Sequence, residues 1–446
     1  MIHMKRLLIF CLIALLPSCG SFSGPSSLGT DGIELVFDEN IDLMATVWRL
    51  AGAPEYESSD WEAYDACIND YFKSYAEHPA VLLAKEYRAR GVAYDAVVSY
   101  GAYLEIDSEG KIGFDTGIVN NVDDRWTSGM QTRMLESLQS FYDDTHFHEW
   151  YLTTEKFRNK AMTEFTRLSR SIDTGWFTSF FSASESPKFR ITVAPIIGCN
   201  NYGLSAVTGD GRTILTPVMG SLSFDILIHE FCHPYCNPVI DRIYGRISLN
   251  ARRFFKMEKT ILGIQAYPSA KTMMYETLVR ASVIRYLAEH DAEADVPALV
   301  MEQVRNGFPF VRPLVENIEN GWTDNDIVRI VKGYSVKQYR SEMQEYEKSL
   351  VHYRCSLEDG ARNIPSGDLQ FTIEFDRPME ESVSIFMTEY DFPQLKDYYW
   401  SEDHKTLTFN FFVLPSTKYG IHINGSGFTS LDGTTSVDAT IVFKTK

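Results

Sequence analysis

The sequence predicts an α+β protein, a largely helical domain followed by an all-β sandwich, and three observations predict it. From residue 31 to about 190, apolar residues recur at spacings of three and four, as in Phe157, Met162, Phe165 and Leu168, the period of helices with one buried face. A block around 189–216 then reads as strands separated by a Gly-Asp-Gly turn. Beyond about 350 the pattern becomes short alternating runs divided by turn residues, as in an all-β module.

The first segment, 1–18, has a basic start at Lys5-Arg6 and an apolar stretch from Leu7 to Leu16, too short to span a bilayer. This describes an export signal that is removed. Cys19 follows a small residue and resembles the lipid-bearing cysteine of bacterial lipoproteins, so residues 19–30 read as a lipidated cysteine and a Gly/Ser/Pro-rich tether. The expected location is the cell envelope, membrane-anchored on either face.

The formal charge is -18, and -20 once Lys5 and Arg6 leave with the signal. That balance repels phosphate backbones, which excludes nucleic acid as a partner. Hydrophobic content of 44% supports packed cores in more than one domain. Past Cys11 and Cys19, five cysteines remain, an odd number that rules out a fully paired disulfide scaffold but leaves room for one bridge. Oligomeric state is not legible.

Helices are expected over 41–50, 61–75, 134–142 and 154–171. His78 and the His146-Phe147-His148 pair are not read as metal ligands, the second being His-x-His with no supporting spacing. Residues 189–194 read as a strand, 204–207 and 213–216 as a hairpin, and 200–203 as the candidate edge of a cleft.

The chemistry concentrates at His229-Glu230-Phe231-Cys232-His233, which follows an apolar run. On a helix, residues four apart share a face, so both imidazoles reach one Zn2+ while Glu230 lies beside the open coordination position as general base. Pro234 removes an amide donor, and Asn237-Pro238 follows, so the helix is expected to end within about a turn of His233.

A third ligand is required. Glu276 lies in the apolar helical run 272–284, where a carboxylate needs a partner: the metal, or Arg280 four residues on. Arg280 would serve the metal reading too, as the group that orients the carboxylate. Glu258 is the rival third ligand. Cys232 and Cys236 offer a closed structural zinc site instead, although small buried packing residues are the simpler reading.

The segment 226–238 together with 276–280 resembles gluzincin-type zinc metallopeptidases, and more closely bacterial lipoproteins known only as a domain of unknown function. A metzincin would need Gly at 236 and His at 239, where this chain has Cys236 and Val239. The resemblance implies a zincin-like domain over 31–350. Zincins carry a strand before the motif helix that lines the cleft and binds extended peptide by main-chain hydrogen bonds.

The remainder, 354–446, resembles the bacterial Ig-like domain, carried by Phe375-Asp376-Arg377-Pro378-Met379, Trp400-Ser401 and the strands 369–375, 407–411, 419–423 and 439–443. His404 and His422 there are isolated, and no chemistry is assigned to the module.

The expected function is that of a lipid-anchored zinc metallopeptidase acting on a peptide or protein. Glu230 would take a proton from the attacking water and return it to the leaving amine. Tyr244, Tyr275 and Tyr334 are open as oxyanion donors. The alternative is a non-enzymatic envelope lipoprotein that grips a polymer or protein partner.

Overall fold

The computed structural model describes residues 33–446 except 120–121, 184–188, 209–212, 266 and 319–320. The export signal, Cys19 and the tether lie outside the described residues. No helix among the described residues is long and apolar enough to cross a membrane. The chain divides into two compact units, one ending at Tyr235 and the other running from Cys236 to Lys446.

The first unit is built on eight described helices: α1 (Glu39–Leu50), α2 (Glu62–Phe72), α3 (Pro79–Ala89), α4 (Asp95–Ala102), α5 (Ser128–Asp144), α6 (Phe147–Thr153), α7 (Glu155–Ser169) and α8 (Thr174–Phe180). Each expected helix is present. At α1, α5 and α8 the start follows from a side chain that satisfies the first free amides: Asp38 accepts from Asn40 and Ile41, Thr127 from Met130, and Asp173 from Gly175 and Trp176. Aromatic rings fill the core, with Tyr100 stacked on Trp126 at 4.4 Å and Trp48 edge-on to it at 5.7 Å. The buried indoles keep their hydrogen bonds, Trp48 donating to Val92 and Trp126 to Ala96.

Beside these helices lie β1 (Ile33–Val36), a small hairpin of β2 (Leu104–Ile106) and β3 (Ile112–Phe114), β4 (Ile118–Val119), β5 (Phe189–Val193), β6 (Asn201–Thr208) and β7 (Thr213–Met219). Five of them form one sheet in the order β1-β5-β7-β6-β4. The expected hairpin is β6 and β7, paired antiparallel, with its tip outside the described residues. The parallel pairing of β1 with β5 joins distant segments, and Arg190 there reaches Glu34, 156 residues away, at 2.9 Å.

Helix α9 (Phe224–Met257) corrects one expectation, because it runs straight through Pro234 and Pro238 instead of ending near His233. The reason is burial along its length. Cys232, Cys236, Ile240, Ile243, Ile247, Ala251 and Phe254 recur at three and four and are all at most 1% exposed. Burying a large aliphatic or aromatic side chain is worth about 1.5–3 kcal/mol, so Ile240, Ile243, Ile247 and Phe254 together offset the roughly 3 kcal/mol that each of the two interior prolines costs.

The helical part of the second unit continues with α10 (Lys259–Ile264), α11 (Ala270–His290), α12 (Val296–Arg305), α13 (Val311–Asn317), α14 (Asp324–Gly333) and α15 (Val336–Glu347). Then come β8 (Tyr353–Cys355), β9 (Ala361–Ile364), β10 (Gly367–Phe375), β11 (Ile385–Met387), β12 (Gln394–Trp400), β13 (Thr406–Val413), β14 (Lys418–Ile423) and β15 (Ala439–Thr445). They form two four-stranded sheets, β12-β13-β10-β8 and β11-β14-β15-β9, around a core of Phe371, Phe409, Phe411, Ile421 and Phe443. This is the expected all-β module. Arg305 of α12 grips it, donating to Asp438, Thr435 and the Ser436 carbonyl at 3.0, 2.9 and 2.6 Å.

Candidate metal centre

The first turns of α9 are fixed by Leu227, Ile228 and Phe231, all buried, with the Phe231 ring stacked on Phe189 of β5 at 4.1 Å. Two residues along a helix turn a side chain by about 200°, so packing Phe231 inward sends His229 and His233 to the opposite face. Their rings lie half-buried with the two Nε2 atoms 3.2 Å apart. Each of His229, His233 and Glu276 offers one ligand atom, and these atoms lie within 4.8 Å of one another. Ligands about 2.05 Å from a tetrahedral ion are about 3.3 Å apart, so the histidine spacing fits one zinc.

Glu276 stands on α11, whose first turn is capped by Ser269 accepting from Thr272. It is 8% exposed, and its carboxylate is held by neighbours. Tyr267 donates to Oε2 at 3.4 Å, and the Arg280 guanidinium approaches the same oxygen at 3.7 Å. Arg280 is itself fixed: it donates to Gln303 at 2.5 Å and to the Tyr267 hydroxyl at 3.1 Å, and it stacks over Phe308 at 4.2 Å. The expected Arg280 partnership is thus the longer of its polar contacts. Tyr267 and Gln303 were missed, since neither has motif spacing to the histidines.

Glu230 points at β6. The α-carbon of Gly203 faces its carboxylate so closely that a Cβ at 203 would lie 1.9 Å from Oε2. Gly203, within the segment 200–203 expected to edge a cleft, is therefore the residue that leaves room for the carboxylate. Among the described residues, β4 pairs with the outward side of β6 only at Val207 and Thr208. The Gly220 amide donates to the Asn200 carbonyl at 3.0 Å, and the register pairs Asn201 with Met219 and Gly203 with Pro217. In an antiparallel ladder, hydrogen-bonded and non-bonded pairs alternate, so Asn201, Gly203 and Ser205 turn their N–H and C=O groups away from β7. Val207, next in that series, uses the outward side to pair with Val119 of β4.

A family model described as a domain of unknown function, DUF4932, matches residues 34–339, which contain all of these groups. The chain belongs to the DUF4932 family. No curated protein matches it. Among solved structures it is similar to surface layer protein SbsC, domains 1-6, with TM-score 0.17 and 11% identity over 50% of this chain and 34% of that one. The N-terminal part of the bacterial S-layer protein SbsC gives TM-score 0.16 and 12% identity, over 50% of this chain and 57% of that one. The chain thus spans less than two thirds of either.

Within the DUF4932 region the rival ligands take other partners. Glu258 accepts a hydrogen bond from Tyr339 at 3.0 Å, and burial pushes its carboxyl up to about 7. Cys232 and Cys236 are fully buried, Cys236 contacts the Ser282 hydroxyl at 3.5 Å, and burial pushes its thiol up, which disfavours a thiolate ligand. None of the five described cysteines forms a disulfide. His148 bonds Glu39 and His78 bonds Asp144, each at 3.1 Å; neither belongs to a metal-competent group. His422, in the sandwich, bonds Thr440.

Two of the three open tyrosines are engaged elsewhere. Tyr334 is buried against Phe254 and donates to Glu342 at 2.6 Å. Tyr275 donates to Asp241, which also holds Lys271. Tyr244 is half-buried on α9.

Proposed function

We propose that this DUF4932 protein is a lipid-anchored, cell-envelope zinc metallopeptidase. The observation that carries the reading is the convergence of His229, His233 and Glu276 to within 4.8 Å, with Glu230 one residue from the first histidine. Two neutral imidazoles and one carboxylate are the donor set of a catalytic zinc, three protein ligands with the fourth position left for water or substrate. Zinc held there supplies a Lewis acid that polarises a carbonyl and brings a water's pKa toward neutrality.

The chain's own residues do the rest. Glu230 takes the proton from the attacking water and carries it to the departing amine, so one carboxylate serves as base and then as acid. Tyr267 and Arg280 hold Glu276 in one orientation, as partners of metal-ligating carboxylates do. An extended peptide pairs with the outward groups of Asn201 and Gly203, adding a strand to the edge of β6 and bringing its backbone past the Glu230 carboxylate. Main-chain recognition of this kind selects peptides.

Metal analysis of the purified protein, joined to a peptide-library cleavage screen, tests the reading. Near-stoichiometric zinc with cleavage abolished by chelation is expected. A protein that binds no zinc, or that cleaves nothing while zinc-loaded, contradicts it. The anchor is tested separately by Cys19→Ser, which moves the protein to the soluble fraction; unchanged lipid labelling in that variant rules the anchor out.

A further inference from the structure

The outer face of the β12-β13-β10 sheet presents an arrangement that the metal centre does not use. Odd-numbered residues of β10 and β13 fill the sandwich core, which turns the even-numbered ones outward. Across the middle of that outward face, three strands contribute one hydrogen-bonded row. Gln370 donates to Asn410 at 3.5 Å, and Asn410 donates to Asp397 at 2.5 Å. Exposed aromatic rings bracket the row: Tyr399, opposite Thr408, is 52% exposed, and Phe412 is 36% exposed. Thr408 and Phe412 are four residues apart on β13, which sets the rings about 13 Å apart along the strand.

We propose that this face binds a neutral polysaccharide. A sugar ring has C–H faces that stack on aromatic rings and hydroxyls that both donate and accept. Tyr399 and Phe412 supply the first kind of surface, and the amide and carboxylate row supplies both hydrogen-bonding senses between them. A lipid or an apolar helix would need continuous apolar surface, and the Gln370-Asn410-Asp397 row interrupts it. Charge selects further. Lys396, which lies over the Phe412 ring at 5.5 Å, is already paired with Asp368, and the Asp397 carboxylate stands in the row itself. Together with a net charge of -18, this disfavours anionic polymers.

The proposal is independent of the metallopeptidase reading. Affinity electrophoresis of the whole soluble protein through gels containing a β-glucan, an α-glucan, a mannan or an anionic polysaccharide tests it. Retardation by a neutral polymer is expected, weakened roughly threefold to tenfold by Tyr399→Ala or Phe412→Ala and kept by Tyr399→Trp. Glu230→Gln should bind as the parent does. Retardation by none of the neutral polymers, retardation by the anionic one alone, or retardation unchanged in the Tyr399→Ala, Phe412→Ala double variant would overturn it. So would a dimer in sedimentation that the double variant abolishes, since the face would then belong to a second copy.

Discussion

The α-carbon of Gly203 lies against the Glu230 carboxylate, so that a Cβ there would fall 1.9 Å from Oε2 and 2.6 Å from Cδ. The colliding atoms are the far end of a flexible side chain, which can swing aside without disturbing backbone. Gly203→Ala should therefore leave stability within about 1 kcal/mol of the parent while displacing the carboxylate proposed as general base. We expect zinc retained and peptide turnover reduced at least about tenfold, read by metal analysis, thermal unfolding and cleavage rate. Unchanged turnover would show that the Glu230 position is not critical.

Tyr267 bridges Glu276 and Arg280 with one hydroxyl. Removing it as Tyr267→Phe keeps the ring against Phe308 and deletes only the hydrogen bonds. Zinc affinity should fall about 10- to 100-fold, the usual effect of losing a partner of a metal ligand. Competition with a chelator of known affinity measures it, and an unchanged affinity would assign the hydroxyl a packing role.

Glu258 carries the clearest pH dependence. Burial raises its carboxyl from an ordinary 4.5 to about 7, so the folded state holds the proton more tightly than the unfolded chain does. Its contribution is full below about pH 4.5 and is lost as pH rises through about 7, an effect of at most about 3 kcal/mol. Glu258→Gln stays neutral and still accepts from Tyr339. The variant should match the parent at low pH and gain stability above pH 7 in denaturant titrations. Parallel pH profiles for parent and variant would remove Glu258 as the source.

The histidine pair and Glu276 were legible because helix periodicity and a local motif encode them. The strands of the sandwich were legible for the same reason, as with the Phe371, Ile373 and Phe375 alternation. What sequence could not supply was non-local. Pairing of β1 with β5 depends on segments about 150 residues apart, and neither Gln303 nor Tyr267 stands at a spacing that points to Glu276. The two prolines misled because their cost is local while the burial that offsets it, from Cys232 to Phe254, is summed over the whole helix.

The central claim is that Glu276 completes a zinc shell while Glu230 moves protons. Zinc content and peptide cleavage measured together on Glu276→Ala and Glu230→Gln separate the two roles. The account predicts that Glu276→Ala loses metal and activity together, because a site with two remaining protein ligands holds zinc weakly. It predicts that Glu230→Gln keeps near-stoichiometric zinc and loses most turnover. Full zinc retention in Glu276→Ala, or undiminished cleavage by Glu230→Gln, would contradict it.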